Sequence, residues 1–235
     1  MYKTHPTFII KKSIGQPIWR YMDFWKFLNL LETKSLWFSN AIGLGDNHEG
    51  VIPHFVLSQM LEQDKQKGNT SNEDLNDYLE KNLRFETLIS SWRYAERESF
   101  AMWKMYSKDK TGISIKTDFE SLKKSFDKTE RDIYIGEILY IDEKNYYYTT
   151  SNMYFPFLTK LDYYSFENEI RCITSCGINE EKCSKLIEVD INILIKEVFI
   201  SPNTKPEFKK LLELLKREYY LNYEIKFSQV NDSWL

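Results

Sequence analysis

The chain has 235 residues, of which 42% are hydrophobic and 16% aromatic, enough to bury a sizeable core without disulfides or metal and too apolar for a disordered chain. Its 32 basic and 35 acidic residues leave a net charge of -3, so no global field attracts a polyanion, and nucleic-acid binding would need a local patch. Cys172, Cys176 and Cys183 are odd in number, and no signal-like or long apolar run precedes them, which predicts a reducing, cytoplasmic chain without a membrane segment. Their spacing lacks the paired short gaps of a zinc site, and His5, His48 and His54 are far from them in sequence; buried small hydrophobes are the expectation for these cysteines.

In chain order, Phe8-Ile9-Ile10 reads as a short strand or arm. Residues 17–21 read as a strand, and Asp23 as the cap of a helix with Phe24, Phe27, Leu28 and Leu31 at helical spacing, ending near Lys34. Leu36-Trp37-Phe38-Ser39 is a second strand, followed by a Gly- and Asn-rich loop over 40–50 that holds Asp46, His48 and Glu49. Helices are expected over 53–63 and 73–85, with a polar exposed loop over 64–76 between them. A strand over 87–92, a short helix over 98–106, a strand over 111–117 and a helix capped by Asp118 follow. Residues 133–141 read as one strand with Gly136 as a bulge; strands over 185–190 and 197–200, a helix over 205–220 and a strand over 223–230 close the chain. Helices and strands interleave too irregularly for a doubly wound sheet. The prediction is a single α+β domain with a mixed or mostly antiparallel twisted sheet and flanking helices.

The densest charge lies in Phe166-Glu167-Asn168-Glu169-Ile170-Arg171. As a strand, its period of two sends Glu167, Glu169 and Arg171 to one face. That face is either solvated, with cross-strand ion pairs worth about 0.2–1 kcal/mol each, or a site in which a carboxylate sits in a cleft with a shifted pKa. Trp92, Trp103, Phe100 and Tyr106 are core or the wall of a ring-binding pocket. Asp46, His48 and Glu49 are turn chemistry or part of a site.

Trp19-Arg20-Tyr21, Leu36-Trp37-Phe38-Ser39, residues 45–50, 98–106 and 111–115, and Phe166-Glu167-Asn168-Glu169-Ile170-Arg171 together resemble a bacterial family numbered as domain of unknown function 2971. A second resemblance is to ADP-ribosyltransferases: an Arg on a first strand, a Ser on a second and a Glu-x-Glu opening a later one, here Arg20, Ser39 and Glu167 with Glu169. Phe38-Ser39-Asn40 stands where those enzymes often carry Ser-Thr-Ser. This resemblance implies NAD as substrate and transfer of ADP-ribose to a macromolecular acceptor, protein or nucleic acid. Its implied setting is a toxin or phage-defence effector, with room for a neutralising or regulatory protein partner. It also implies that Glu169 stabilises the oxocarbenium-like cation, Ser39 orients it or the ribose, Glu167 prepares the acceptor nucleophile, and Arg20 pairs with the phosphates. Tyr21, Asp46 and Trp103 complete the expected cofactor-binding set. Two alternatives stay open: a metal-dependent nuclease using Asp46, Glu49, Glu167 and Glu169 as oxygen ligands, and a non-catalytic interaction or immunity protein.

Overall fold

The computed structural model of the chain describes residues 1–13, 15–45, 49–51, 62, 82–107, 111–142, 153–177, 180–181, 184–202 and 204–230. The expected helix over 53–63 apart from Glu62, the loop over 64–76 and most of the helix over 73–85 lie outside them, as do Asp46, His48 and Cys183. β1 (Ile18–Met22) ends at Asp23, whose carboxylate accepts from the Lys26 N–H at 2.8 Å and starts α1 (Phe24–Thr33). Phe27, Leu30 and Leu31 bury one face of α1, and Lys34 stops it in the left-handed region at φ 48°. β2 (Ser35–Asn40) runs into a 3₁₀ turn over Ala41–Leu44, where the Asn40 side chain accepts from the Gly43 N–H at 2.9 Å.

A helical turn, Arg84–Glu86, leads into β3 (Thr87–Tyr94). Ser99 then caps α2 (Phe100–Tyr106), and after β4 (Ile113–Thr117) Asp118 caps α3 (Phe119–Ser125). The rest is β5 (Tyr134–Glu137), β6 (Leu139–Ile141), β7 (Thr159–Leu161), β8 (Glu169–Ser175), β9 (Lys185–Glu188), α4 (Ile191–Leu194), β10 (Glu197–Ile200), α5 (Pro206–Glu218) and β11 (Glu224–Phe227).

Among the described residues, nine strands form one mostly antiparallel sheet, β11-β10-β4-β1-β3-β2-β9, with β8 paired to both β3 and β5. Of the strand pairs described in it only β10 with β11 is parallel, and β6 and β7 make a separate parallel pair. The long strand β3 organises the rest. Its edge toward β1 and β2 is shared: β1 pairs at Tyr94 and Arg93, and β2 at Ile89 and Leu88. The sheet therefore forks around Ser90, Ser91 and Trp92, while β8 covers the opposite edge of β3 from Thr87 to Arg93. Beneath the sheet, Phe27, Leu31, Phe38, Leu88, Phe126 and Leu194 belong to one buried cluster. Each such side chain contributes roughly 1.5–3 kcal/mol.

Three expectations change. The strand over 133–141 is broken at Ile138, whose N–H turns to the Glu169 carbonyl at 3.0 Å. Gly136 is not a bulge; its missing side chain makes room for the N-terminal arm, because a Cβ there would stand 3.1 Å from the Phe8 Cα. The arm docks on β5 through the Glu137 N–H to the Ile9 carbonyl and the Glu137 carboxylate to the Lys11 and Lys12 N–H groups. Glu167 is also not in a strand. It closes a 3₁₀ segment, Asp162–Glu167, and β8 begins at Glu169. Asn168 between them sits at φ 45°, a conformation that Asn tolerates better than other side chains.

Candidate active site

The left-handed turn at Asn168 and the fork in the sheet place charged groups from β1, β3, β7 and β8 around one cleft of about 200 Å³. Glu169 opens β8 with its carboxylate buried. It accepts from the Arg171 Nε at 2.7 Å and Nη2 at 3.1 Å, from Ser91, and lies 3.1 Å from the Lys160 Nζ. Its N–H donates to the Tyr140 hydroxyl at 2.8 Å. Arg171, which is 0% exposed, spends its remaining donors on both oxygens of Glu49 and on the Phe157 carbonyl at 2.7 Å. Gly50, beside Glu49, has φ +70°, and a Cβ there would stand 2.1 Å from the Phe157 ring. A close approach of backbone to ring thus carries Glu49 into reach of Arg171.

Lys160 lies between the two carboxylates of the Glu-x-Glu, 2.7 Å from Glu167 and 3.1 Å from Glu169. Arg93 on β3 donates to the carbonyls of Phe166 and Glu167 and so ties that turn to the sheet. Arg20 sits at the fork, with Nη1 on the Ser90 hydroxyl, Nη2 on the Trp37 carbonyl at 3.1 Å, and its guanidinium 5.3 Å from the Trp92 ring. It therefore bridges β1, β2 and β3, stacking on Trp92 rather than on its sequence neighbours Trp19 and Tyr21.

These surroundings drive the two carboxylates apart. Burial would raise Glu169, but the charges of Arg171 and Lys160 outweigh it and hold the group down at about 2. Burial raises Glu167 above the ordinary carboxylate value despite its bond to Lys160. Burial likewise raises the Tyr106 hydroxyl, which faces Arg20 and both carboxylates. For Glu169, a folded pKa below the ordinary 4.5 means that its stabilisation is present above pH 4.5 and lost as pH falls toward 2. This loss is on the order of 3 kcal/mol. Glu167 has the opposite sign: its contribution is present below 4.5 and lost as pH rises through its raised folded value. In urea melts across pH 5 to 2, the wild type is thus expected to lose stability more steeply than Glu169→Gln. Parallel curves would show that Glu169 is not held in this way.

Of the residues singled out by sequence, Arg20, Tyr21, Glu167 and Glu169 line this cleft together with Glu49. Ser39 does not. It is buried on β2 and lines an adjoining cavity of about 610 Å³ between α1 and β2. The Ser39 hydroxyl would lie 2.5 Å from a Cβ at Gly43, and the hydroxyl that reaches Glu169 is Ser91. Trp103 is buried behind the cleft, edge-on to Tyr21 at 4.9 Å, with its Nε1 on Glu98 at 2.9 Å. It belongs to an aromatic cluster with Trp19, Tyr21 and Phe199. Asp46 lies outside the described residues. The solvated-face reading of Glu169 and Arg171 is overturned by their burial.

Lys160, Ser91 and Arg93 went unrecognised in the sequence. Lys160 stands in a short segment without periodicity, whereas Arg93 alternates with Trp92 and Tyr94 and could have been read as the polar face of β3. Among the described residues no group of three His, Cys, Asp or Glu side chains is arranged to hold a metal ion. Of the four carboxylates expected for a nuclease, Glu49, Glu167 and Glu169 are ion-paired with Arg171 or Lys160, and Asp46 is not described. Cys172 is buried in the core and its thiol is raised by burial. No helix among the described residues is long and apolar enough to cross a membrane.

A family model, "Protein of unknown function (DUF2971)", matches residues 102–172. That segment runs from α2 into β8 and carries Lys160, Glu167, Glu169 and Arg171. Among solved structures the chain is similar to Thermus sp. 2.9 DarT in complex with NAD+, at 6% identity and a TM-score of 0.45, covering 92% of this chain and 97% of that one. It is also similar to Thermus sp. 2.9 DarT in complex with ADP-ribosylated ssDNA, at 8% identity and a TM-score of 0.42, covering 97% and 98%. Likenesses this loose transfer no residue role. No curated protein matches the chain.

Proposed function

We propose that this protein binds NAD in the cleft and transfers ADP-ribose to a macromolecular acceptor. The observation that carries the reading is the pair Glu167 and Glu169, facing one cleft with Arg20 and pushed in opposite directions by their surroundings. A carboxylate held ionised and one with a raised pKa suit two different tasks. As the bond from the ribose C1′ to the nicotinamide nitrogen breaks, the electron pair leaves with nicotinamide and positive charge grows on the ribose. Glu169, fixed as an anion, stabilises that charge. The acceptor nucleophile then attacks C1′, and Glu167 takes its proton. Arg20 pairs with the diphosphate, Tyr21 and Tyr106 wall the ring, and Arg171, Lys160 and Ser91 hold Glu169 in place.

Tyr163 and Phe166, exposed on the 3₁₀ segment that ends at Glu167, offer aromatic faces for a nucleobase or an aromatic side chain of the acceptor. A toxin or phage-defence effector acting inside a cell is the biological setting that fits this chemistry. The nuclease reading is weaker, because a metal would have to compete with Arg171 and Lys160 for the same carboxylates.

Incubation of the purified protein with NAD labelled in the adenylate, together with a cell lysate, is expected to release nicotinamide and to label a macromolecule. A folded protein that does neither would overturn the reading. Magnesium-dependent cleavage of nucleic acid, lost in Glu169→Gln, would establish the nuclease instead.

A further inference from the structure

The cleft of about 200 Å³ falls below the range of about 300–1,000 Å³ usual for small-molecule sites, too small for a whole dinucleotide. It adjoins the cavity of about 610 Å³ between α1 and β2, and Arg20, Tyr21, Leu44, Ser91 and Tyr106 line both. Arg20, on this shared lining, bonds the Trp37 carbonyl and so ties the cleft to the strand that lines the second cavity. Trp37 on β2 and Trp25 on α1 line that cavity and are 51% and 72% exposed. Leu36 and Phe38, the neighbours of Trp37, turn into the core, so the β-strand alternation forces the indole outward. Asn29, one helical turn beyond Trp25, also lines the cavity and presents an amide.

From this geometry we infer that the groove between α1 and β2 is a subsite for the adenosine diphosphate half of the nucleotide. The diphosphate lies at Arg20, the adenine stacks on Trp37 and Trp25, and its edge faces the Asn29 amide. This rests on the NAD reading above and adds to it the end of the substrate that occupies the larger cavity. A planar purine fits two outward indoles because every base offers a π face, and an Asn amide can pair with the N6 and N7 edge of adenine. The arrangement leaves the ribose that is attacked on the side of Glu167 and Glu169.

Titration of the full chain with ADP, ADP-ribose and nicotinamide mononucleotide, followed by calorimetry and by tryptophan fluorescence, tests this. ADP and ADP-ribose are expected to bind and to quench the emission. Trp37→Ala should weaken both by about 10-fold or more, and Trp37→Phe, which keeps a stacking face, by far less. Both indoles are exposed, so thermal melts of Trp37→Ala and Trp25→Ala should match the wild type; a variant that melts early is replaced by Asn29→Ala, expected to weaken ADP selectively. If ADP binds Trp37→Ala, Trp25→Ala and the wild type equally, the subsite is overturned while NAD turnover can stand. If the variants keep ADP binding but lose labelling of the acceptor, the groove belongs to the acceptor and the proposal also fails. If ADP binds in a tryptophan-dependent way but NAD is never cleaved, the subsite stands and the transferase reading falls.

Discussion

Glu169→Gln is expected to lower nicotinamide release from saturating NAD by about 10²–10³-fold, the loss found when one preorganised group is removed from a developing charge. The substitution keeps the shape of the side chain and removes the anion that Arg171 and Lys160 hold ionised. Arg171 retains both oxygens of Glu49 as a partner, so the fold should survive. Glu167→Gln separates the two roles: it should spare NAD hydrolysis by water more than transfer to the acceptor, since its task lies in the second step. Steady-state release of nicotinamide, measured beside acceptor labelling for each variant, reads both effects. Wild-type release in Glu169→Gln would remove this residue from the chemistry, and equal loss of both readouts in Glu167→Gln would deny it the role of acceptor base.

The second large effect is on stability. Arg171→Met should cost about 3–5 kcal/mol, because it strands the Glu49 carboxylate in a buried site without its cation and leaves Glu169 with Lys160 alone. For a chain of this size that amounts to a fall in Tm of about 10 °C. Removing the charge stranded at Glu49 as well, in Arg171→Met with Glu49→Gln, should recover part of the loss, since the penalty comes from uncompensated charge more than from lost attraction. Differential scanning calorimetry of the two variants and of Glu49→Gln alone closes the cycle. A Tm for Arg171→Met within a degree or two of the wild type would mean that the buried network carries no such stabilisation.

Much of the frame was readable along the chain because the signals are local. Asp23 and Asp118 cap helices since each carboxylate reaches an N–H three residues on, a contact contained within one turn. The strand over 17–21 and the helix over 205–220, of which Phe208, Leu212 and Leu215 meet the core, likewise depend only on local composition and the helix period. The α+β class followed from the irregular interleaving of these elements. The Glu-x-Glu was visible as a cluster of charge, but its geometry was not. A strand period puts Glu167 on the face of Glu169, whereas Asn168 adopts a left-handed turn that ends the 3₁₀ segment there.

Everything that makes the cluster a candidate site is set by partners distant in sequence. Arg171 finds Glu49 across 122 positions, and Arg20 finds Ser90 across 70, because β3 is long enough to pair with β1, β2 and β8 at once. Ser39 and Trp103 carried suitable chemistry but were sent elsewhere by the same topology, one into the adjoining groove and the other behind Tyr21. Side-chain type and spacing specify which hydrogen bonds a short segment can close on itself. Which charge is buried against which, and hence which carboxylate stays ionised, depends on desolvation and Coulomb energies that exist only once the sheet has brought those groups within a few ångströms.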